Sequence, residues 1–199
     1  MKTFTRLTGF LSLFIFNATL LIAQPTMIKD IHVGPTGSSP DLMVNGNTIT
    51  FFIADDGGYG LELWKTNGTE AGTVMVKDIN PGINRSSPSN LSVVGSNLYF
   101  FADDGTHGKE LWKSDGTDAG TVLVQDINKG SASCEGNYLT IISGYLAFVA
   151  TDGVSGLELW RTDGTDIGTT IIKDINLTGD SNPIGNSGLT KYVRIGSTF

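Results

Sequence analysis

The chain has one cysteine, two histidines, six prolines and few charged residues, 17%. A single Cys134 excludes an intrachain disulfide, so stability must come from packing, and it reads as an incidental small residue in a loop. With no clustered His and no second Cys, there is no zinc site and no Cys/His nucleophile pair. Basic residues are scarce as well: 13 Lys and Arg face 20 Asp and Glu, for a formal net charge of −7. Without a basic stripe the chain does not suit nucleic acid or an anionic membrane surface. What is plentiful is glycine, 26 residues, beside a hydrophobic share of 39%. That is a foldable composition in a chain that turns often, as short-stranded β proteins do.

The one long apolar run is N-terminal. Lys2 and Arg6 precede a mostly apolar stretch over 7–22, and Ala23 is a small residue before Gln24 and Pro25. This is the three-part pattern of a secretory signal peptide over 1–23, cleaved after Ala23 or Gln24. The rival is an uncleaved anchor, but Gly9, Ser12, Asn17 and Thr19 interrupt the run and it is short for a span. No later segment is long and apolar enough to cross a membrane, so the expectation is a secreted or surface-exposed chain with no span after cleavage.

The region 24–199 is repetitive. Trp64, Trp112 and Trp160 are the only tryptophans and stand 48 residues apart. Around them lie ELWKTNGTEAGT, ELWKSDGTDAGT and ELWRTDGTDIGT, followed in register by VKDIN, VQDIN and IKDIN. The units run over about 41–79, 90–127 and 137–175, with an incomplete one over 176–199. In the middle unit, runs of apolar and β-branched residues bounded by Gly, Asp and Asn predict strands over 90–94, 97–103, 109–113 and 121–127. Four short antiparallel strands in 48 residues are the dimension of a propeller blade. Strands such as NLYFFAD are apolar on both faces, as a sheet covered on both sides needs. The expected fold is therefore all-β, a partial β-propeller of three full blades and the start of a fourth, with an open β-solenoid as the alternative. The phase adds a detail: residues 26–31 match a fourth strand, since Asp30 aligns with Asp78. That strand lacks its own blade and the last unit stops early, so the sequence reads as a fragment of a longer protein.

The ELW and DGT strings resemble the ELWxxDGT-repeat family of exported bacterial proteins, also described as hyalin-like repeats. The likeness spans most of the chain after the signal, and its first copy departs by one residue, Asn67 standing where the others have Asp115 and Asp163. The resemblance implies export and a repeat architecture of the surface or adhesion type, and no settled enzymatic activity.

Each recurring motif has a structural and a functional reading. Asn67-Gly68-Thr69, Asp115-Gly116-Thr117 and Asp163-Gly164-Thr165 suit turns that need φ > 0, or else offer ligand groups. The tryptophans are packing anchors between modules or exposed platforms for sugars. Glu62, Glu110 and Glu158 share the strand face of the tryptophan two residues later, so each needs a buried partner, sought among turn N–H groups, hydroxyls or a neighbouring blade. Lys65, Lys113 and Arg161 point to the opposite face. Asp55, Asp56, Asp103, Asp104 and Asp152 sit on glycine-rich turns; they are solvated turn residues or weak candidates for Ca²⁺. Apart from this low expectation of calcium, no cofactor is expected.

Catalysis has little to build on. His32 and His107 do not recur; their equivalents include Asn80 and Tyr59. The glycine-rich stretches do not lie between a strand and a helix, so they are not phosphate loops. The expectation is a non-catalytic binding or scaffold module whose partner is a protein or glycan at the cell surface. The alternative is an exported hydrolase or lyase acting on polysaccharide or peptide, for which Glu135 in the non-repeating loop 131–137 is the candidate.

Overall fold

The computed structural model describes residues 25–175 and Leu177. The signal segment and residues 178–199 of the incomplete last unit lie outside the described residues. The described chain is all-β, with three antiparallel four-stranded sheets whose strands neighbour one another in chain order. The first sheet holds β1 (Asp41–Asn45), β2 (Thr50–Asp55), β3 (Leu61–Thr66) and β4 (Val74–Lys77). The second holds β5 (Ser89–Val94), β6 (Asn97–Asp103), β7 (Lys109–Ser114) and β8 (Val122–Gln125). The third holds β9 (Asn137–Ile142), β10 (Tyr145–Thr151), β11 (Leu157–Thr162) and β12 (Thr170–Lys173). Among the described residues no helix is long and apolar enough to cross a membrane.

The 48-residue period fixes the register. Phe52 pairs with Trp64, Phe100 with Trp112 and Phe148 with Trp160, and in each sheet an alanine (54, 102 or 150) faces the glutamate. The hairpin between second and third strands needs glycine twice over. Gly60 and Gly108 have φ of +69° and +70°, and a Cβ there would meet the backbone of the next connection, at Asn84 and Ala132. The fourth strand of the middle sheet is shorter than its sequence suggests. Thr121 is drawn into the preceding turn and Ile127 turns its N–H to Glu110, so only 122–125 remain for the ladder.

Alternation along the strands sorts the apolar residues into two faces. Phe51, Leu63, Val76 and Ile79 of the first sheet pack against Leu98, Phe100, Ala102 and Trp112 of the second. The opposite face of the second sheet, with Tyr99, Phe101, Leu111, Val124 and Ile127, packs against Leu146, Phe148, Ala150 and Trp160 of the third. The middle sheet is thus covered on both sides. In front of the first sheet, Ile31 packs on Phe52, Ala54 and Trp64, the register place that Ile79 and Ile127 take before the second and third sheets. Residues 25–31 therefore stand in for the fourth strand of a preceding sheet. Among the described residues no third strand lies beside them and they form no ladder; Lys29 Nζ ties them to the Thr73 carbonyl at 2.8 Å. The first strands gather, β1 against β5 and β5 against β9, while the fourth strands make no comparable approach.

Candidate functional site

The ELWxxDGT string builds a clasp. In the middle sheet, Asp115 Oδ1 accepts from the Thr117 N–H at 2.8 Å and from its hydroxyl at 2.6 Å. Thr117 Oγ1 in turn accepts from the Gly120 N–H at 2.9 Å, and the Thr117 carbonyl accepts from the Thr121 hydroxyl at 2.7 Å. Thr121 meets the Ser114 hydroxyl at 2.7 Å, and Ser114 Oγ accepts from the Gly116 N–H at 3.0 Å. The same bonds recur through Thr66, Asn67, Gly68, Thr69 and Thr73, and through Thr162, Asp163, Gly164, Thr165 and Thr169. The hydroxyl and amide of the following threonine hold the Asp115 and Asp163 carboxyls below their ordinary range. Asn67 makes the same contacts without a charge, which is why the first copy tolerates it.

Each motif glutamate is buried and pins the connection that follows its own sheet. Glu62 accepts from the N–H groups of Ile79 and Ser86, at 3.1 and 2.8 Å, and from the Ser86 hydroxyl. Glu110 accepts from the N–H groups of Ile127 and Asn128, at 2.9 and 3.3 Å, and Glu158 from that of Ile175 at 3.4 Å. Burial outweighs these donors and pushes Glu62 and Glu110 up to about 7. The donors lie 17 to 24 residues downstream, so no local pattern reveals them. Cys134 is not an incidental loop residue: it is fully buried, and its carbonyl accepts the Thr151 N–H as the Ser86 carbonyl accepts that of Asp103. Burial raises its thiol pKa.

The three tryptophans are all buried: Trp112 and Trp160 lie at the junctions between sheets, and Trp64 lies under residues 25–31. The basic residue after each tryptophan is a contact that the sequence reading missed, although it recurs with the period. Lys65 Nζ donates to the Gly116 carbonyl of the next sheet's clasp at 2.7 Å, and Lys113 Nζ donates to that of Gly164 at 2.7 Å. Gly116 and Gly164 also have no room for a Cβ, which would strike Ile49 and the Tyr99 hydroxyl of the preceding sheet. Fourth strands add a second link, from Lys77 to the Asp118 carboxylate at 3.2 Å and from Gln125 to the Asp166 carbonyl at 3.2 Å.

The acidic turns hold their own loops. Asp55 and Asp103 accept the N–H groups of Gly57 and Gly105, and Asp56, Asp104 and Asp152 each accept two consecutive amides. Asp104 also meets His107 Nδ1 at 2.7 Å, a contact that raises the imidazole; despite partial burial, the His107 and Thr106 donors keep Asp104 low. Among the described residues no three His, Cys, Asp or Glu side chains converge as metal ligands would. Glu135 is exposed, with φ +52°.

The gathered first strands differ from all this. Each carries a register shift where it pairs with its second strand. At the shift stands a residue with positive φ, Leu42, Asn90 or Tyr138, at +53°, +53° and +59°. Such backbone is costly for side chains other than Gly and Asn, and bulges of this kind re-aim a side chain. The backbone recurs but the residues do not, and their predecessors Asp41, Ser89 and Asn137 differ too. Asn90 Nδ2 bridges to Asn137 Oδ1 at 2.9 Å, which joins two of these strands side by side.

No protein-family model matches the chain, and no curated protein matches it. Two solved structures are similar in part. One comes from a structural and mechanistic study of two prolyl endopeptidases, with 13% identity and a TM-score of 0.43 over 65% of this chain and 19% of that one. The other is the computationally designed Ika8 protein, with 18% identity and a TM-score of 0.36 over 67% of this chain and 36% of that one. The chain thus spans well under half the length of either.

Proposed function

We propose that the protein is a secreted or cell-surface, non-catalytic module of the ELWxxDGT-repeat type, which binds or scaffolds through the gathered first strands of a partial β-propeller. One observation carries this reading: the recurring side chains are occupied with structure, and the residues that vary stand on the first strands, where β5 lies beside both β1 and β9. The clasp, the buried glutamates and the tryptophans leave no reactive group in the repeat motif. First strands that converge while fourth strands spread are what blades around a common axis require. The varied positions offer an acid, amides, a hydroxyl, an aromatic ring and one aliphatic side chain: Asp41, Asn90, Asn137, Ser89, Tyr138 and Leu42. These groups suit a hydroxyl-rich glycan or a polar protein loop, the aromatic stacking while the amides fix orientation.

The test is a screen of the purified protein against glycans and cell-envelope extracts, repeated with Tyr138→Ala and Asn137→Ala. Binding at micromolar concentration that either variant abolishes, at unchanged melting temperature, supports the reading. Binding unaffected by both variants, or none at all, removes it. Turnover of a polysaccharide or peptide substrate that Glu135→Gln abolishes would replace it with a hydrolase or lyase.

A further inference from the structure

Four register places recur where the first three strands of each sheet meet, beside the acidic turn. In the middle sheet they hold Ser89, Phe101, Asp103 and Lys109, with Ser89 paired to Phe101 and Asp103 to Lys109. The half-buried Lys109 fills this place: its Nζ donates to the Ser89 hydroxyl at 3.3 Å. Burial lowers its pKa, and the nearby charge of Asp103 works against that. Asp103 meanwhile accepts the Gly105 N–H at 2.7 Å. One aspartate therefore holds its turn and stands beside an ammonium at once, as a carboxylate with two oxygens can.

The first sheet keeps the register and lacks the lysine. Asp41 pairs with Ile53 and Asp55 with Leu61. Two aliphatic residues thus replace Phe101 and Lys109, and a second acid, Asp41, replaces Ser89. Here lies a cavity of about 420 Å³, walled by Asp41, Ile53, Asp55 and Leu61 together with His32 and Arg85. The surrounding loops have counterparts around Lys109. The Ser38 carbonyl accepts the Asp55 N–H at 2.9 Å, as the Ser86 carbonyl accepts that of Asp103 at 2.9 Å. Arg85, its side chain 65% exposed, reaches Asp55 Oδ2 from the rim at 3.4 Å. His32 Nδ1 is buried and has no hydrogen-bond partner among the described residues. The third sheet has Asn137, Thr151 and Leu157 at the corresponding places, so the pair of acids belongs to the first sheet alone.

We propose that this cavity binds a primary alkylammonium group from outside the chain, in the place that Lys109 fills for itself in the middle sheet. The ammonium takes its bonds from Asp41 and Asp55, and its alkyl stem lies on Ile53 and Leu61. The two carboxylates outnumber the one guanidinium, so a cation is the ligand that the charges favour. Arg85 holds Asp55 only at long range and from the solvent side, and a direct ammonium–carboxylate bond is the stronger contact. Among the described residues no three His, Cys, Asp or Glu side chains converge, which favours an ammonium over a metal ion. Asn137 and Tyr138 of the third sheet take no part in this site, so it and the glycan reading above can fail separately.

The test is an amide-resolved NMR titration of the isotope-labelled protein with n-butylammonium chloride, at constant ionic strength. Saturable shifts are expected at Asp41, Asp55 and Gly57. Asp55→Asn should weaken binding roughly tenfold or more. Leu61→Lys should abolish it, because the chain then seats its own ammonium as Lys109 does. The Leu61→Lys spectrum and melting curve serve as the folding control, since the fold already accepts lysine at that register place. A parallel titration with Nα-acetyl-lysine methylamide asks where the amine comes from. Tighter binding than butylammonium supports a lysine side chain of a partner protein, and weaker binding supports a free amine. No saturable shift up to tens of millimolar overturns the proposal. So does binding that survives in a folded Leu61→Lys variant, or equal binding of tetramethylammonium, which carries the charge without N–H donors.

Discussion

The middle and third sheets are written in nearly the same sequence and end in different states. Phe101 and Leu111 on the rear of the middle sheet are fully buried, because the third sheet lies on them. Leu159, the counterpart of Leu111, is only half-buried, and Ile172 on the neighbouring β12 is 49% exposed. The strands, turns and clasps are alike in both. Local sequence therefore sets the sheet, and the neighbour supplies most of its burial, as nearest-neighbour terms do in repeat proteins.

That contrast can be attacked directly. The largest effect is expected from Trp112→Ala, which removes a ring at the first junction and should cost about 3–5 kcal/mol in denaturant melts. A variant of near-normal stability would mean that the ring is not a packing anchor. Leu111→Ala should cost about 2–5 kcal/mol, whereas Leu159→Ala should cost no more than about 1–2 kcal/mol. Equal losses would remove the distinction between the two sheets.

A pH series addresses the buried carboxyls. Glu62 and Glu110 hold their protons in the folded protein up to about pH 7, against an ordinary value of 4.5. The folded state binds these protons more tightly than the unfolded chain does. Their contribution is thus full below about pH 4.5, falls as pH rises towards 7 and levels off above. Asp104, Asp115, Asp152 and Asp163 have the opposite sign: their contribution is present above the ordinary carboxylate range and is lost in stronger acid. Melting temperature should therefore decline between pH 5 and 8, and the double variant Glu62→Gln, Glu110→Gln should flatten that decline. A melting temperature that rises over this interval in the parent chain would reverse the assignment.

Smaller effects concern the links between sheets. Lys113→Met should cost about 1–2 kcal/mol by leaving the Gly164 carbonyl without its charged donor. Arg161→Met, which removes no such link among the described residues, should stay within about 0.5 kcal/mol. The smallest response is expected from calcium. The acidic turns direct their oxygens at their own amides, so millimolar calcium should leave the melting curve unchanged; a rise that Asp104→Asn reduces would show a site there.

Much of the sheet architecture was legible because the repeat compares the chain with itself. Aromatic and β-branched runs between fixed glycines mark the strands, and the 48-residue spacing of the tryptophans aligns the three sheets. What stayed hidden depends on folding across distance. Nothing near Glu62 in the sequence points to Ser86, and nothing near Lys65 points to Gly116. Cys134 looked incidental because it is a single cysteine in a loop, and only the structure shows that the position is buried. The positive-φ residues of the first strands were hidden for another reason. Leu42 and Tyr138 are residues that avoid this conformation when free, so their identity argues against the backbone they adopt.

Native-state hydrogen exchange tests most directly whether neighbours supply the burial that the repeat leaves unsatisfied. The account predicts the slowest exchange in β6 and β7, which are covered on both faces, and much faster exchange in β11 and β12 despite their matching hydrogen bonds. Equal protection across the corresponding strands of all three sheets would contradict it.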